Sequence, residues 1–174
     1  ALSPLSLPYF LLPLWLAPAF VKLGEFGVAI VGMVAFLGRH GVSRGAGILA
    51  GIFFATSGFM MMWTNWPHTR VASLIPLLFW SLERLHQGRR VGDAVPVALV
   101  VASMLLGGFP AVTVFALTLA AAYVLARTVW RYRAGAPAML RVLVLSAAGV
   151  LLGAGLAAVQ IVPFVRNLDQ LGLE

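Results

Sequence analysis

The chain has no cysteine and only five acidic residues among 174. The first absence excludes disulfides, iron–sulfur clusters and thiolate metal sites. The second leaves Glu25, Glu83, Asp93, Asp169 and Glu174 as the whole supply of carboxylates. Charge of either sign is scarce: Asp, Glu, Lys and Arg make up 10% of the residues, against about 25% in soluble domains. There is no Walker loop, no Gly-x-Ser-x-Gly elbow and no dinucleotide fingerprint. The three histidines, His40, His68 and His86, are placed so that no two face each other within the apolar stretches. A two-histidine haem or a buried metal therefore has no ligands here.

What is present is hydrophobic. Apolar residues make up 61% of the chain and the mean hydropathy is +1.00, which no water-soluble domain matches. The net charge of +7 is confined to particular gaps between apolar stretches. Nine of the twelve Lys and Arg fall in alternate gaps: Arg39 and Arg44; Arg84, Arg89 and Arg90; Arg127, Arg131, Arg133 and Arg141. The other gaps hold only Arg70 and Arg166, and Lys22 lies inside a stretch. That alternation is the mark of the positive-inside rule on a multi-pass protein, with the arginine-rich loops cytoplasmic. Anionic headgroups are the natural partner of those loops. No helix face carries the basic stripe that nucleic acid would need, so no nucleic-acid partner is expected.

The fold expected is all-α, a polytopic transmembrane bundle. A span needs ~20 mostly apolar residues, with a range of ~17–25. Six segments qualify: residues 18–38, 45–63, 67–83, 91–106, 110–126 and 140–164. Pro96 and a short length make the fourth the weakest. Residues 1–17 carry Pro4, Pro8 and Pro13, which interrupt any helical ladder. They read as an external interfacial or re-entrant lead-in to a bundle over 18–164, with 165–174 as an external surface segment. The chain opens at Ala1 without a charged leader and is expected to be an internal piece of a longer protein, the rest of which packs on it.

Four places carry candidate chemistry. The run Trp63-Thr64-Asn65-Trp66-Pro67-His68-Thr69-Arg70 reads as an external hairpin tip. Pro67 suits a first helical turn, which sets His68 and Arg70 beside unpaired N–H groups that favour phosphate. Alternatively Trp63 and Trp66 anchor the tip in the interface and Asn65, His68 and Arg70 meet headgroups. A second external tip, Gly107-Gly108-Phe109-Pro110, ends one helix and starts the next by the same logic. Lys22 and Glu25, spaced i,i+3 inside the first span, read as an intramembrane ion pair, either functional or snorkelling. At the far end Arg166 is a further phosphate or headgroup contact, near Gln160, Asn167 and Asp169. Gly47-x-x-x-Gly51 and Gly149-x-x-x-Gly153 with Gly155 offer small-residue packing faces.

Several of these residues stand in a familiar order. Ser57-Gly58-Phe59-Met60, Asn65-Trp66-Pro67-His68-Thr69, Ile75-Pro76-Leu77-Leu78 and Leu82-Glu83-Arg84-Leu85 resemble the YfhO-like family of bacterial polytopic membrane proteins, related to GT-C glycosyltransferases. Leu105-Leu106-Gly107-Gly108-Phe109-Pro110 resembles that family's Gly-Gly-His-Pro turn, with Phe109 where a histidine is usual. Ala157-Ala158-Val159-Gln160-Ile161-Val162-Pro163-Phe164 resembles its next helix end. The resemblance implies a bacterial inner-membrane enzyme that moves a sugar from a polyprenyl-phosphate carrier to a cell-envelope acceptor on the external face. It also places the catalytic acidic loop upstream of Ala1, so no catalytic residue is expected in this stretch. No cofactor is expected here either; any divalent metal belongs with the upstream residues. Two other classes compete: a transporter or flippase with Lys22–Glu25 as its coupling pair, and a non-catalytic membrane subunit.

Overall fold

A computed structural model describes residues 2–131 and 136–166. Among these residues the chain is helical, with no strand. A 3-10 turn at Pro4–Ser6 and the short helix α1 (Pro8–Leu11) precede α2 (Ala17–Gly38). Then come α3 (Arg44–Ala55), α4 (Gly58–Met62), α5 (Pro67–Ala72) and α6 (Ile75–Gly88). A 3-10 turn at Val91–Asp93 leads into α7 (Ala94–Leu105), followed by α8 (Pro110–Arg131), α9 (Ala136–Leu156) and α10 (Ala158–Arg166).

Three helices are long and apolar enough to cross a membrane: α2, α8 and α9. At 22 residues, α2 spans roughly 33 Å at about 1.5 Å per residue, enough for a hydrocarbon core of about 30 Å. Of the other expected spans, the fourth is one shorter apolar helix, Val91–Leu105, and the second and third are interrupted. Residues 45–63 divide into α3 and α4 at Thr56–Ser57, where the Thr56 hydroxyl donates back to the Ile52 carbonyl at 2.8 Å. Such a back-bond competes with the helical ladder. Residues 67–83 divide into α5 and α6 at Ser73–Leu74. Pro76 has no N–H for the ladder there, and Ser73 Oγ donates to the Arg70 carbonyl.

The last segment breaks at Ala157, not at Pro163, which lies inside α10. The fifth runs beyond residue 126 to Arg131 and the sixth starts at Ala136; Arg133 falls outside the described residues. Arg127 can extend that helix because it reaches a carboxylate on α6. Asn167 and Asp169, with the rest of the expected segment 165–174 after Arg166, also lie outside the described residues.

Glycine sets the closest helix approaches. A Cβ on Gly51 would lie 2.7 Å from Ile30 Cα, and one on Gly47 3.1 Å from Val34 Cα. Thus α3 packs backbone to backbone on α2. Gly149 and Gly153 let α9 close on α7, against the Ala94 and Ala98 carbonyls and the Val97 and Val101 side chains, whereas Gly155 meets nothing within 4 Å. The core gathers Val71, Leu78, Leu82, Leu85, Val97, Val101, Met104 and Val142. Phe53, Phe115, Leu151 and many other large apolar side chains point outward, as a surface facing lipid requires. The molecule is a membrane-embedded helical protein.

Candidate functional site

Polar side chains collect at the two opposite ends of α2. At its start, the expected ion pair and the expected phosphate contact form one cluster. Lys22 Nζ lies 3.2 Å from Glu25 Oε2 and donates to the Met60 carbonyl at 3.1 Å. Arg70 reaches the other oxygen of the same carboxylate, with Nε 4.0 Å from Glu25 Oε1. Glu25 is 2% exposed and Arg70 7%. The lead-in closes over them: Arg70 donates to Ser6 Oγ at 3.0 Å, and its guanidinium sits 5.7 Å from the Tyr9 ring centre.

The cluster holds two cations and one carboxylate. A buried charge normally requires a partner, and here two positive charges share a single carboxylate. Arg70 Nε and Ser3 Oγ are buried without a hydrogen-bond partner, Ser3 lying one 3-10 turn before Ser6. The chemistry on offer is therefore capture of an anion with several acceptor oxygens, as a charge-assisted contact.

The two expected tips meet beside this cluster. His68 stacks on Trp63 with ring centres 4.5 Å apart and touches Phe109 of the second tip at 3.6 Å. A Cβ on Gly107 would stand 2.6 Å from Val71 Cγ2, so only glycine lets the tips close. Gly108 and Asn65 take left-handed backbone, with φ of 84° and 69°, which suits glycine and asparagine. Arg70 and His68, however, point to different sides. Arg70 faces α2 and the lead-in, whereas His68 sits in an aromatic sandwich with its Nδ1 buried and unpartnered.

Pro67 does open a helix, but α5 has only six residues and Arg70 lies in its last turn, so its end dipole is short. By contrast α8 starts at Pro110 and runs for 22 residues, which gives it a full end dipole. Arg166 is exposed at the close of α10, and Gln160 Nε2 donates to the Leu105 carbonyl at 3.4 Å.

The opposite end holds a network that the sequence reading passed over. Glu83 is 0% exposed. It accepts from Arg127 through both oxygens, from Tyr123 at 2.6 Å and from Gln87 at 3.1 Å. Gln87 in turn holds Arg39. His86 is buried on α6; its Nδ1 donates to the Leu82 carbonyl and its Nε2 faces Thr128 Oγ1. Asp93 binds Arg84 at 3.1 Å and the Arg90 N–H. The spacings Tyr123–Arg127 and Glu83–Gln87, each one helical turn, were the available signals.

Below the tips, a recess of about 340 Å³ lies between the α3–α4 break and α8, lined by Phe54, Ser57, Phe59, Met60, Ala72 and Phe115 among others. Compared with protein families, with curated proteins and with solved structures, the chain matches none of them.

Proposed function

We propose that this chain is the membrane-embedded part of a larger GT-C-like glycosyltransferase, moving a sugar from a polyprenyl-phosphate carrier to a cell-envelope acceptor. On this reading six stretches cross the bilayer, three as interrupted helices; such breaks are tolerated where protein covers them. The arginine-rich end faces the cytosol by the positive-inside bias, and the two tips face outward. A carboxylate elsewhere in the full protein takes the acceptor's proton. Lys22 and Arg70 hold the phosphate as it leaves, with the start of α8 and His68 at the mouth.

The single observation carrying this reading is the pair of cations, buried Arg70 and half-buried Lys22, around one buried carboxylate, where the tips converge. Its test is transfer from a polyprenyl-linked donor by the full-length protein. Arg70→Ala with His68→Ala should lower the rate by about 10²-fold, with partial recovery in Arg70→Lys. Unchanged transfer at normal expression removes both residues from the mechanism. A transporter reading draws on Lys22–Glu25 lying within a helix long enough to cross. It requires Glu25→Gln to abolish a proton- or ion-coupled flux while leaving sugar transfer intact.

A further inference from the structure

We infer that the groove between α8 and α9 seats a further membrane-spanning helix, from outside the described residues, that carries a hydroxyl or carboxamide side chain at its midpoint. Neither the groove nor its occupant depends on the transferase reading. The groove encloses about 460 Å³. Leu78, Ala120, Val124 and Ser146 form its buried floor, while Ala121 and Ala147 line it from exposed positions. Apart from Ser146, the lining is apolar.

Ser146 behaves unlike the hydroxyls on the neighbouring helices. Ser81, Ser103 and Thr118 each donate to a carbonyl one turn back, at 2.7, 2.8 and 2.9 Å, which satisfies them within their own helix. Ser146 is 7% exposed, and its Oγ is buried with no hydrogen-bond partner. In hydrocarbon an unmet hydroxyl is costly. The groove therefore lacks one polar atom as well as apolar bulk, and its occupant has to bring both.

Depth selects that occupant. Ser146 lies ten residues from each end of α9, about 15 Å at about 1.5 Å per residue. That is the centre of a hydrocarbon core about 30 Å thick. Lipids carry their polar atoms at the edges of the core, so an acyl chain here leaves the hydroxyl unmet. A buried water needs about two to four polar partners, and the lining supplies one. A protein helix can present a side-chain oxygen at this depth, as polar residues do between membrane helices. Ala120 and Ala121, halfway along the 22 residues of α8, and Ala147 beside Ser146 are small enough for its backbone to come close.

The test places photoreactive benzoylphenylalanine at position 147 of the full-length protein in native membranes, with position 119 as the control. Leu119 is exposed but does not line the groove. Position 147, and not 119, should cross-link to a membrane-spanning segment with Ser, Thr, Asn or Gln near its centre, identified by mass spectrometry of the joined peptides. Ala121→Phe, at an exposed position, should remove the adduct. Ser146→Ala should lower its yield by about threefold to tenfold, the worth of one interhelical hydrogen bond, and Ser146→Thr should keep it. Adducts with lipid alone, with α2–α10 of a second copy, or with a segment that has no polar residue at its centre overturn the inference. So does an unchanged yield in Ser146→Ala. Sugar transfer plays no part in the readout, so this result and the proposed function stand or fall separately.

Discussion

The two ends of the bundle solve the same electrostatic problem in opposite ways. At the arginine-rich end, Glu83 is completely buried and both of its oxygens are taken up by Arg127, Tyr123 and Gln87. At the tip end, Glu25 is almost as deeply buried but shares itself between two cations, one of them 4.0 Å away. A saturated carboxylate ties helices together and has nothing left to offer a ligand. An under-supplied one beside surplus positive charge leaves attraction to spare. The two carboxylates are buried alike; the balance of charge around them and their hydrogen-bond completeness differ.

The strongest way to break this contrast is Arg127→Ala. It strands Glu83 in the interior, and removing one partner of a buried pair costs about 3–5 kcal/mol. Thermal unfolding in detergent should drop sharply. A change within error would show Glu83 to be solvated, and the two ends would then be equivalent. Next in size is Gly51→Val, which drives atoms into Ile30 Cα; overpacking of this kind costs about 1–3 kcal/mol. Its cost should appear as α2–α3 separation, seen by cysteine cross-linking in a protein with no native cysteine, with the Glu83 end undisturbed.

The smallest expected stability effect is at the tip end. Lys22→Met leaves Glu25 paired with Arg70, so unfolding should shift by no more than about 1 kcal/mol. Donor affinity should nevertheless fall by about tenfold, the worth of one charge-assisted contact. A large loss of stability with unaltered binding would make this end a structural lock like the other.

Much of the architecture could be read from composition. The alternating basic gaps anticipated which turns lie together, and the contacts Arg39–Gln87 and Arg127–Glu83 gather them at one end. The glycine pairs pointed to the α2–α3 and α7–α9 approaches. Hydropathy was blind to the interruptions, because Thr56, Ser57 and Ser73 barely lower the average of an apolar window. The hydroxyls act instead through local hydrogen bonds. Pro76 marks the second break in the sequence itself, at the start of α6.

Lys22 with Glu25 was visible as a turn-spaced pair on one helix. Their joining to Arg70, 45 positions after Glu25 in the chain numbering, depends on tertiary packing that no local pattern encodes. The same holds for Ser6 and Tyr9, which came from a lead-in expected only to rest at the interface.

The interruption at Ser73–Leu74 has a mechanical consequence. It separates α5 from α6, so the six-residue plate bearing His68 and Arg70 has a helix break on each side. The helix beneath is bolted down at its other end through Glu83. A modest tilt of the plate would slide the Arg70 guanidinium along the Glu25 carboxylate without dragging a crossing helix with it. Strain set up by cargo at the tips would therefore be absorbed locally, and the scaffold would keep its shape.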